Sequence, residues 1–180
     1  RALNTLEAAI ENNVSKYILA SSSEVYQQPE NIPTKEDERL IIPDVMNKRY
    51  SYAGGKMISE LLAINYLRDT NINLKIFRPH NIFGPKMGFE HVIPELIYKI
   101  FKSMKNNNIS LKIKGTGYET RAFNFIDDFI EGFILMLKKG KHKNIYNIGT
   151  DEEININKLV SLISKILNKK IKIIRTNIAK

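Results

Sequence analysis

An α/β fold on a mainly parallel sheet is predicted, and three observations carry it. Short apolar runs alternate along the chain with longer segments whose apolar residues recur every three or four positions. The short runs stop at Ser, Gly or Pro, residues that interrupt strands. A chain of 180 residues that is 43% hydrophobic and 26% charged suits one soluble domain with a real core, or one and a half smaller ones. Strands alternating with helices throughout argue for a parallel sheet.

The elements follow in order. Residues 1–13 read as a helix, with Leu3, Leu6, Ala9 and Ile10 on its apolar side. Lys16 to Ser21 reads as a buried strand running into serines. Residues 27–49, with Pro29, Pro33 and Pro43 among mixed charges, read as a long surface loop, and loops of that length are usually functional. Residues 51–69 form a helix. Asn73 to Arg78 is a second strand, stopped by Pro79. Residues 92–105 are helical by the spacing of Val92, Ile93, Leu96, Ile97, Ile100 and Phe101. Ser110 to Lys114 is a strand before the turn at Gly115-Thr116-Gly117. Residues 127–138 form a helix with Asp127 or Asp128 at its N-terminus, where carboxylates cap. Asn144 to Ile148 is a strand, residues 155–168 a helix, and Lys170 to Arg175 a last strand. Because the chain opens within a helical pattern at Arg1, it is expected to be a fragment whose N-terminal part is missing. No repeat or low-complexity segment is present.

Composition narrows the chemistry. With no cysteine there are no disulfides, thiolate nucleophiles or Cys-based zinc sites. The three histidines, His80, His91 and His142, lack metal-ligand spacing, so no metal is expected. No apolar run is long enough to span a bilayer. The net charge of +9 comes from lysines spread along helices and tails. Lys138, Lys139, Lys141 and Lys143 gather at a helix end, where cations complement the dipole. Nucleic acid is therefore not the expected partner.

Tyr52-x3-Lys56 places a phenol and an ammonium on one helix face. A nearby ammonium stabilises a phenolate, which turns a weak acid into a usable general base. In parallel sheets ligands sit at the carboxyl ends of the strands. Ser21-Ser22-Ser23-Glu24 and Pro79-His80-Asn81 lie at two such ends.

These motifs occur in one order. Ser21-Ser22-Ser23-Glu24-Val25-Tyr26 comes first, then Tyr52-x3-Lys56, then Arg78-Pro79-His80-Asn81-Ile82-Phe83-Gly84-Pro85. Gly115-x-Gly117-x3-Arg121 follows, running into Asp127-Asp128, and then Tyr146-Asn147-Ile148-Gly149. The ordered set, across essentially the whole chain, resembles the extended short-chain dehydrogenase/reductase family, the NAD-dependent nucleotide-sugar epimerases and dehydratases. The resemblance implies a Rossmann-like parallel sheet, truncated at the N-terminus, with a smaller mixed α/β substrate-binding lobe. Residues 1–80 and 125–150 would be the remaining part of the NAD-binding domain. Residues 81–124 and 151–180 would be the substrate lobe.

The resemblance also implies roles. Tyr52 would accept a hydroxyl proton as hydride leaves C4 of the sugar. Lys56 would hold the nicotinamide ribose and assist the tyrosine. Ser22, four residues before Tyr26, would hydrogen-bond the same hydroxyl. Ser21 and Pro79 would line the cofactor site. Asn81 and Arg121 would bind the substrate diphosphate, for which a guanidinium fork is suited, and His91 would also contact substrate. Glu24 matches a glutamate that assists chemistry after C4 oxidation in dehydratases and decarboxylases; in 4-epimerases the position is usually not acidic. Epimerisation, 4,6-dehydration, decarboxylation and C4 oxidation all stay open, as does a non-catalytic member of the fold that binds RNA or protein. NAD is the implied cofactor and a nucleoside-diphosphate sugar the implied partner, in a cytoplasmic homodimer.

Three departures matter. The glycine-rich phosphate loop would precede Arg1. Ser23 stands where dehydratases with an Asp-Glu pair carry the aspartate. Gly54-Gly55 replaces the commoner small residue plus serine. Two glycines in a helix cost about 1 kcal/mol each, so they point to close approach by a neighbour or ligand, or to drift.

Overall fold

The computed structural model describes residues 2–104 and 109–176. Helices are α1 (Ala2–Glu11), α2 (Ser51–Tyr66), α3 (Val92–Ser103), α4 (Ile126–Lys139) and α5 (Ile156–Leu167). Strands are β1 (Lys16–Ala20), β2 (Asn73–Pro79), β3 (Ile82–Phe83), β4 (Ser110–Lys114), β5 (Thr120–Ala122), β6 (Asn124–Phe125), β7 (Asn144–Ile148), β8 (Glu153–Asn155) and β9 (Lys172–Thr176). Two single-turn 3-10 helices, Ser23–Tyr26 and Lys48–Tyr50, flank the long loop. The chain divides into two compact units, Arg1–Ile82 with Ile126–Gly149, and Phe83–Phe125 with Thr150–Lys180. The breaks fall at 82/83, 125/126 and 149/150, against the expected 80/81, 124/125 and 150/151.

The first unit is built on β2. It lies between β1 and β7 and runs parallel to both. Side chains alternate across a strand, and β2 uses both faces. Leu74 and Ile76 point to one face and join Leu6 and Ala9 of α1 and Ala63 of α2 in a closed core. Phe77 points to the other and packs on Met136 of α4, with Phe129 and Phe133 beside it. Its ring meets Phe133 edge-on at 5.1 Å. Fully burying a Leu or Phe side chain contributes about 1.5–3 kcal/mol, so a strand covered on both faces is the main hydrophobic anchor of this unit.

Two charged side chains also sit in this strand. Lys75 is buried, and its ammonium donates to Met136 O at 3.2 Å and Leu137 O at 2.7 Å. These are carbonyls of the last turn of α4, where intrahelical donors run out; Met136 O also receives the Gly140 N–H, and a cation there complements the dipole. Arg78, the other, is buried against Glu60 of α2.

Several expectations are corrected. Pro79 does not stop β2; it is paired with Ile148 of β7. The His80 N–H bonds Ile148 O, so even-numbered residues donate toward β7. The proline's missing donor faces the β1 side, beyond the last β1 pair at Ala20 and Phe77, where no ladder bond is lost. The helix begun at Ser51 ends at Tyr66, not at 69. The last strand starts at Lys172 rather than Lys170, because Asn168, at φ 49°, ends α5 in the left-handed region and the Lys169 N–H still returns to Ser164 O. Asp127 and Asp128 lie inside the first turn of α4, acting on its dipole. The expected continuation of α3 to Lys105 lies outside the described residues. Strands β3, β5, β6 and β8 went unread because two or three residues carry no periodicity.

The second unit has its own core. Leu96 and Ile100 of α3 and Leu159 and Val160 of α5 close over Leu111 and Ile113 of β4. β4 pairs in parallel with β9, and β5 pairs antiparallel with β8. Asn155 caps α5 by accepting the Lys158 N–H at 2.8 Å. Gly117, at φ +77°, turns the chain after β4, and a Cβ there would lie 2.5 Å from Asn157 Oδ1, so only glycine suits the position.

Gly140 ends α4 under a comparable constraint. A Cβ on it would lie 2.4 Å from the backbone oxygen of Met136, which also receives the Gly140 N–H. Gly140→Ala is expected to destabilise the protein by about 1–3 kcal/mol, read as a lower urea midpoint at unchanged slope. An unchanged midpoint would mean that the helix end relaxes freely.

Candidate active site

The parallel strands of the first unit bring three chain ends to one edge of the sheet. Ser21–Glu24 follow β1, His80 and Asn81 follow β2, and Gly149 follows β7. Open parallel sheets bind ligands along such an edge.

Helix α2 starts beside it. The turn before α2 is fixed locally, since Asn47 accepts the Arg49 N–H at 3.0 Å and Ser51 donates to Lys48 O at 2.7 Å. Tyr52 and Lys56 follow one turn apart. Lys56 Nζ lies 5.7 Å from the Tyr52 ring centroid and donates to Ala20 O, the last carbonyl of β1, at 2.7 Å. That bond ties the helix to the strand end. An ammonium has three donors, and this is the one bond Lys56 makes among the described residues. Tyr52 is 57% exposed.

The serine turn is built as a cap. Ser22 has extended backbone, and its Oγ accepts the Glu24 N–H at 3.2 Å, which starts the 3-10 turn Ser23–Tyr26. Ser22 is buried while Glu24 is exposed. Ser21 is 3% exposed, and its Oγ has no hydrogen-bond partner among the described residues. The turn packs onto α2 through Val25 and Tyr26 against Met57, the residue after Lys56, with Leu40 of the long loop beside them. Gly54 is buried against the side chain of Ile42, 3.2 Å from where its Cβ would be, whereas nothing approaches Gly55. A Cβ at Gly54 would thus require the Ile42 side chain to give by a few tenths of an ångström.

Beneath these residues lies a polar network. Arg78, 2% exposed, gives a bidentate bond to Glu60 of α2, Nε to Oε1 at 2.9 Å and Nη2 to Oε2 at 2.6 Å. Its Nη1 donates to Tyr26 Oη at 2.7 Å and to Glu36 O at 3.0 Å. Its guanidinium carbon lies 4.8 Å from the Tyr26 ring centroid. The Tyr26 hydroxyl donates to Asn147 Oδ1 at 2.8 Å, and Asn147 Nδ2 donates to Thr34 O at 2.9 Å. The Asn147 N–H donates to Glu36 Oε1 at 2.8 Å. Burial opposes the Arg78 charge, but the bonds to Glu60 and Tyr26 outweigh it and hold its pKa above the ordinary value. Burial pushes the Tyr26 phenol above its ordinary 10.0, and the Arg78 and Asn147 bonds offset only part of this.

In the sequence Arg78, Tyr26 and Asn147 stand out only as members of their motifs, and Glu60 and Glu36 do not stand out as part of any motif. One signal was present: Tyr52, Lys56 and Glu60 repeat at i, i+4 and i+8, a single stripe on α2. Gln27 is a further surprise. Its φ of 52° and ψ of −83° are unusual for a side-chain-bearing residue, and its Nε2 bonds back to Glu24 O at 2.5 Å.

The first unit thus gathers Ser21, Ser22, Glu24, Tyr52, Lys56 and Pro79, with Asn81 exposed just after β2. His91 and Arg121 belong to the second unit. His91 is exposed at the N-cap position of α3 without capping it through its side chain. Arg121 is exposed in β5, and its Nη1 donates to Thr120 O at 2.8 Å. Glu119 is occupied elsewhere. Hydrogen bonds from its own backbone, from Thr116 and from Gly117 hold its carboxyl below the ordinary carboxylate value. Among the described residues no helix is long and apolar enough to cross a membrane.

The model of the NAD-dependent epimerase/dehydratase family matches residues 2–149, and the chain belongs to that family. It is 33% identical over 156 residues to a dTDP-D-glucose 4,6-dehydratase of Dictyostelium discoideum, covering 83% of this chain and 35% of that protein. It is 28% identical over 162 residues to GDP-mannose 3,5-epimerase 1 of Oryza sativa subsp. indica, covering 90% and 43%. The crystal structure of UDP-glucuronic acid 4-epimerase from Bacillus cereus in complex with NAD is similar at a TM-score of 0.84 and 26% identity, covering 98% of this chain and 53% of that one. The chain thus spans between about a third and about a half of the proteins it matches. The fold is Rossmann-like α/β.

The Tyr26 shift has a consequence at high pH. A pKa raised by folding means that the unfolded phenol ionises first, so this residue's contribution is fully present below pH 10.0 and is lost as pH rises through the folded pKa. Tyr26→Phe leaves Asn147 and Arg78 each short of a partner and should cost about 1–3 kcal/mol near neutrality. The stability gap between wild type and Tyr26→Phe should shrink above pH 10.0. A gap constant to pH 11 would show that Tyr26 does not ionise on unfolding.

Proposed function

We propose that this chain carries the catalytic residues of an NAD-dependent nucleotide-sugar epimerase or dehydratase. The observation that carries the reading is the bond from Lys56 to Ala20 O, which holds the Tyr52–Lys56 helix against the strand end that leads into Ser22. In this reading Tyr52 takes the proton of the sugar C4 hydroxyl, Ser22 hydrogen-bonds the same oxygen, and the Lys56 charge favours the phenolate.

The residues present fit a nicotinamide ribose. Lys56 keeps donors to spare, and Ser21 Oγ is a buried polar atom without a partner among the described residues. Such an atom costs about 1–3 kcal/mol unless something satisfies it, and a ligand hydroxyl or amide would. Lys56, Ser21 and Pro79 would hold the cofactor. When bound, NAD supplies the reversible oxidation at the sugar carbon.

Asn81 and Arg121 are each proposed as residues that bind the substrate diphosphate, and His91 as a further substrate contact. The exposed Arg121 guanidinium makes no ion pair among the described residues, which leaves its fork available to phosphate. Exposed Ile58 and Leu61 on α2 support a homodimer, and a cytoplasmic location goes with the substrate class.

Epimerisation at C4 is the first reading. Dehydration or decarboxylation is the second, and Glu24 favours it: the residue is exposed two positions after Ser22, and its carboxylate accepts no hydrogen bond among the described residues. The likeness to a 4,6-dehydratase points the same way.

In the full-length protein, Tyr52→Phe should lower turnover of the accepted UDP-, GDP-, CDP- or dTDP-sugar by at least ~100-fold. Calorimetric binding of that sugar should change little. Near-normal turnover removes Tyr52 from the chemistry, and a wild type that binds no nucleotide sugar removes the substrate class. Glu24→Gln separates the branches through product analysis. Inversion at C4 should survive the change, whereas loss of water or carbon dioxide should fall by on the order of 100-fold.

A further inference from the structure

We propose that Glu60 and Arg78 are positioning residues that set where Tyr52, Lys56 and Ser22 stand relative to one another. The inference rests on the functional reading above but concerns groups that touch neither substrate nor cofactor.

Tyr52, Lys56 and Glu60 lie one turn apart on a single stripe of α2. A helix packed only by apolar contacts can slide or roll by a fraction of a turn, since such contacts lack direction. The bidentate bond from Arg78 to Glu60 is directional at both ends and excludes that freedom. It fixes the roll of α2 at the third residue of the stripe, and so the heading of the first two. Lys56 adds its own tie to Ala20 O, at the second residue.

The same guanidinium fixes the other half of the site. Its Nη1 holds Tyr26, the last residue of the turn that Ser22 caps, and Glu36 O, midway along the loop from that turn to α2. Asn147 then holds Tyr26, Glu36 and Thr34 from β7. One buried side chain on β2 therefore meets the serine turn, the connecting loop and the tyrosine helix. Apolar packing would stabilise the unit as well, but it would not give one joint with defined angles to all three.

The test uses the full-length protein with Glu60→Gln and Arg78→Lys, which keep size or charge but break the two-pronged bond. Gly140→Ala serves as a control, because it strains the same unit at the far end of α4, away from the network. All are measured well below their melting temperatures, after near-UV circular dichroism shows each is folded. If Glu60 and Arg78 position the site, kcat should fall on the order of 10–100-fold in both variants with KM for the nucleotide sugar within about threefold. Gly140→Ala should keep kcat within about twofold. A second readout needs no turnover: 3-fluorotyrosine placed at position 52 should give one sharp fluorine line in wild type and Gly140→Ala, and a shifted, broadened or doubled line in Glu60→Gln.

Unchanged kcat and an unchanged fluorine line in Glu60→Gln would overturn the proposal. So would an equal fall of kcat in Gly140→Ala, which would make the network ordinary structure. If wild type turns over no nucleotide sugar, the functional reading fails by itself, and the fluorine line still decides whether the network sets Tyr52. Should either variant fail to fold, Arg78→Met with Glu60→Leu replaces the pair by apolar groups of similar size. The same shifts are expected there, and a wild-type line in that double variant would overturn the proposal.

Discussion

The first unit depends on a charge that should not be where it is. A guanidinium 2% exposed has lost its hydration, a cost of several kcal/mol, and that cost is offset only if its donors are met with good geometry. Arg78 meets this condition, since Glu60, Tyr26 and Glu36 take bonds from three of its nitrogens. The pair is weak evidence for net stability, because an apolar substitute could fill the same space. Its value lies in geometry. Removing one partner strands the other charge, so the elements contributing the partners are coupled to one arrangement.

This also explains what could be read from the sequence. The alternation of strands and helices, the long loop and the order of motifs were legible, since each rests on local periodicity or on punctuation by Ser, Gly and Pro. Lys75 and Arg78 in β2 were harder. A charged residue in an apolar strand reads as solvent-facing, yet both are buried, one capping α4 and the other binding Glu60. Their partners lie 61 or 62 residues on for Lys75 and 18 back for Arg78. No local pattern reports a contact of that separation. Pro79 illustrates the same limit, since its place in the ladder follows from which side the missing donor faces.

The candidate site divides along the same line. Tyr52 and Lys56 were legible because an i, i+4 pair lies on one face wherever the helix goes. The Ser22 cap was not, although Ser is a frequent capping residue, since a one-turn 3-10 helix gives no periodic signal. Gln27 carries a strained backbone directly after this turn, with its side chain bonded back to Glu24 O. Strain of this kind costs of order 1–3 kcal/mol and persists only where surrounding structure imposes it. Tyr26, one residue earlier, is held by Arg78 and Asn147, and that is the imposing structure.

The long loop between the serine turn and α2 is part of the same arrangement. A free connection between the serine turn and α2 would let the two halves of the site drift, and closing it around a ligand would cost conformational entropy at each turnover. The loop is instead stitched along its length. Thr34 and Glu36 are held by Asn147 and Arg78, Leu40 packs on Tyr26 and Met57, and Ile42 covers Gly54. Each stitch divides one long closure into shorter ones whose cost is met once, on folding. The serine turn and the start of α2 are therefore held to one another on folding, which is the order of events that the proposed catalysis by positioned groups requires.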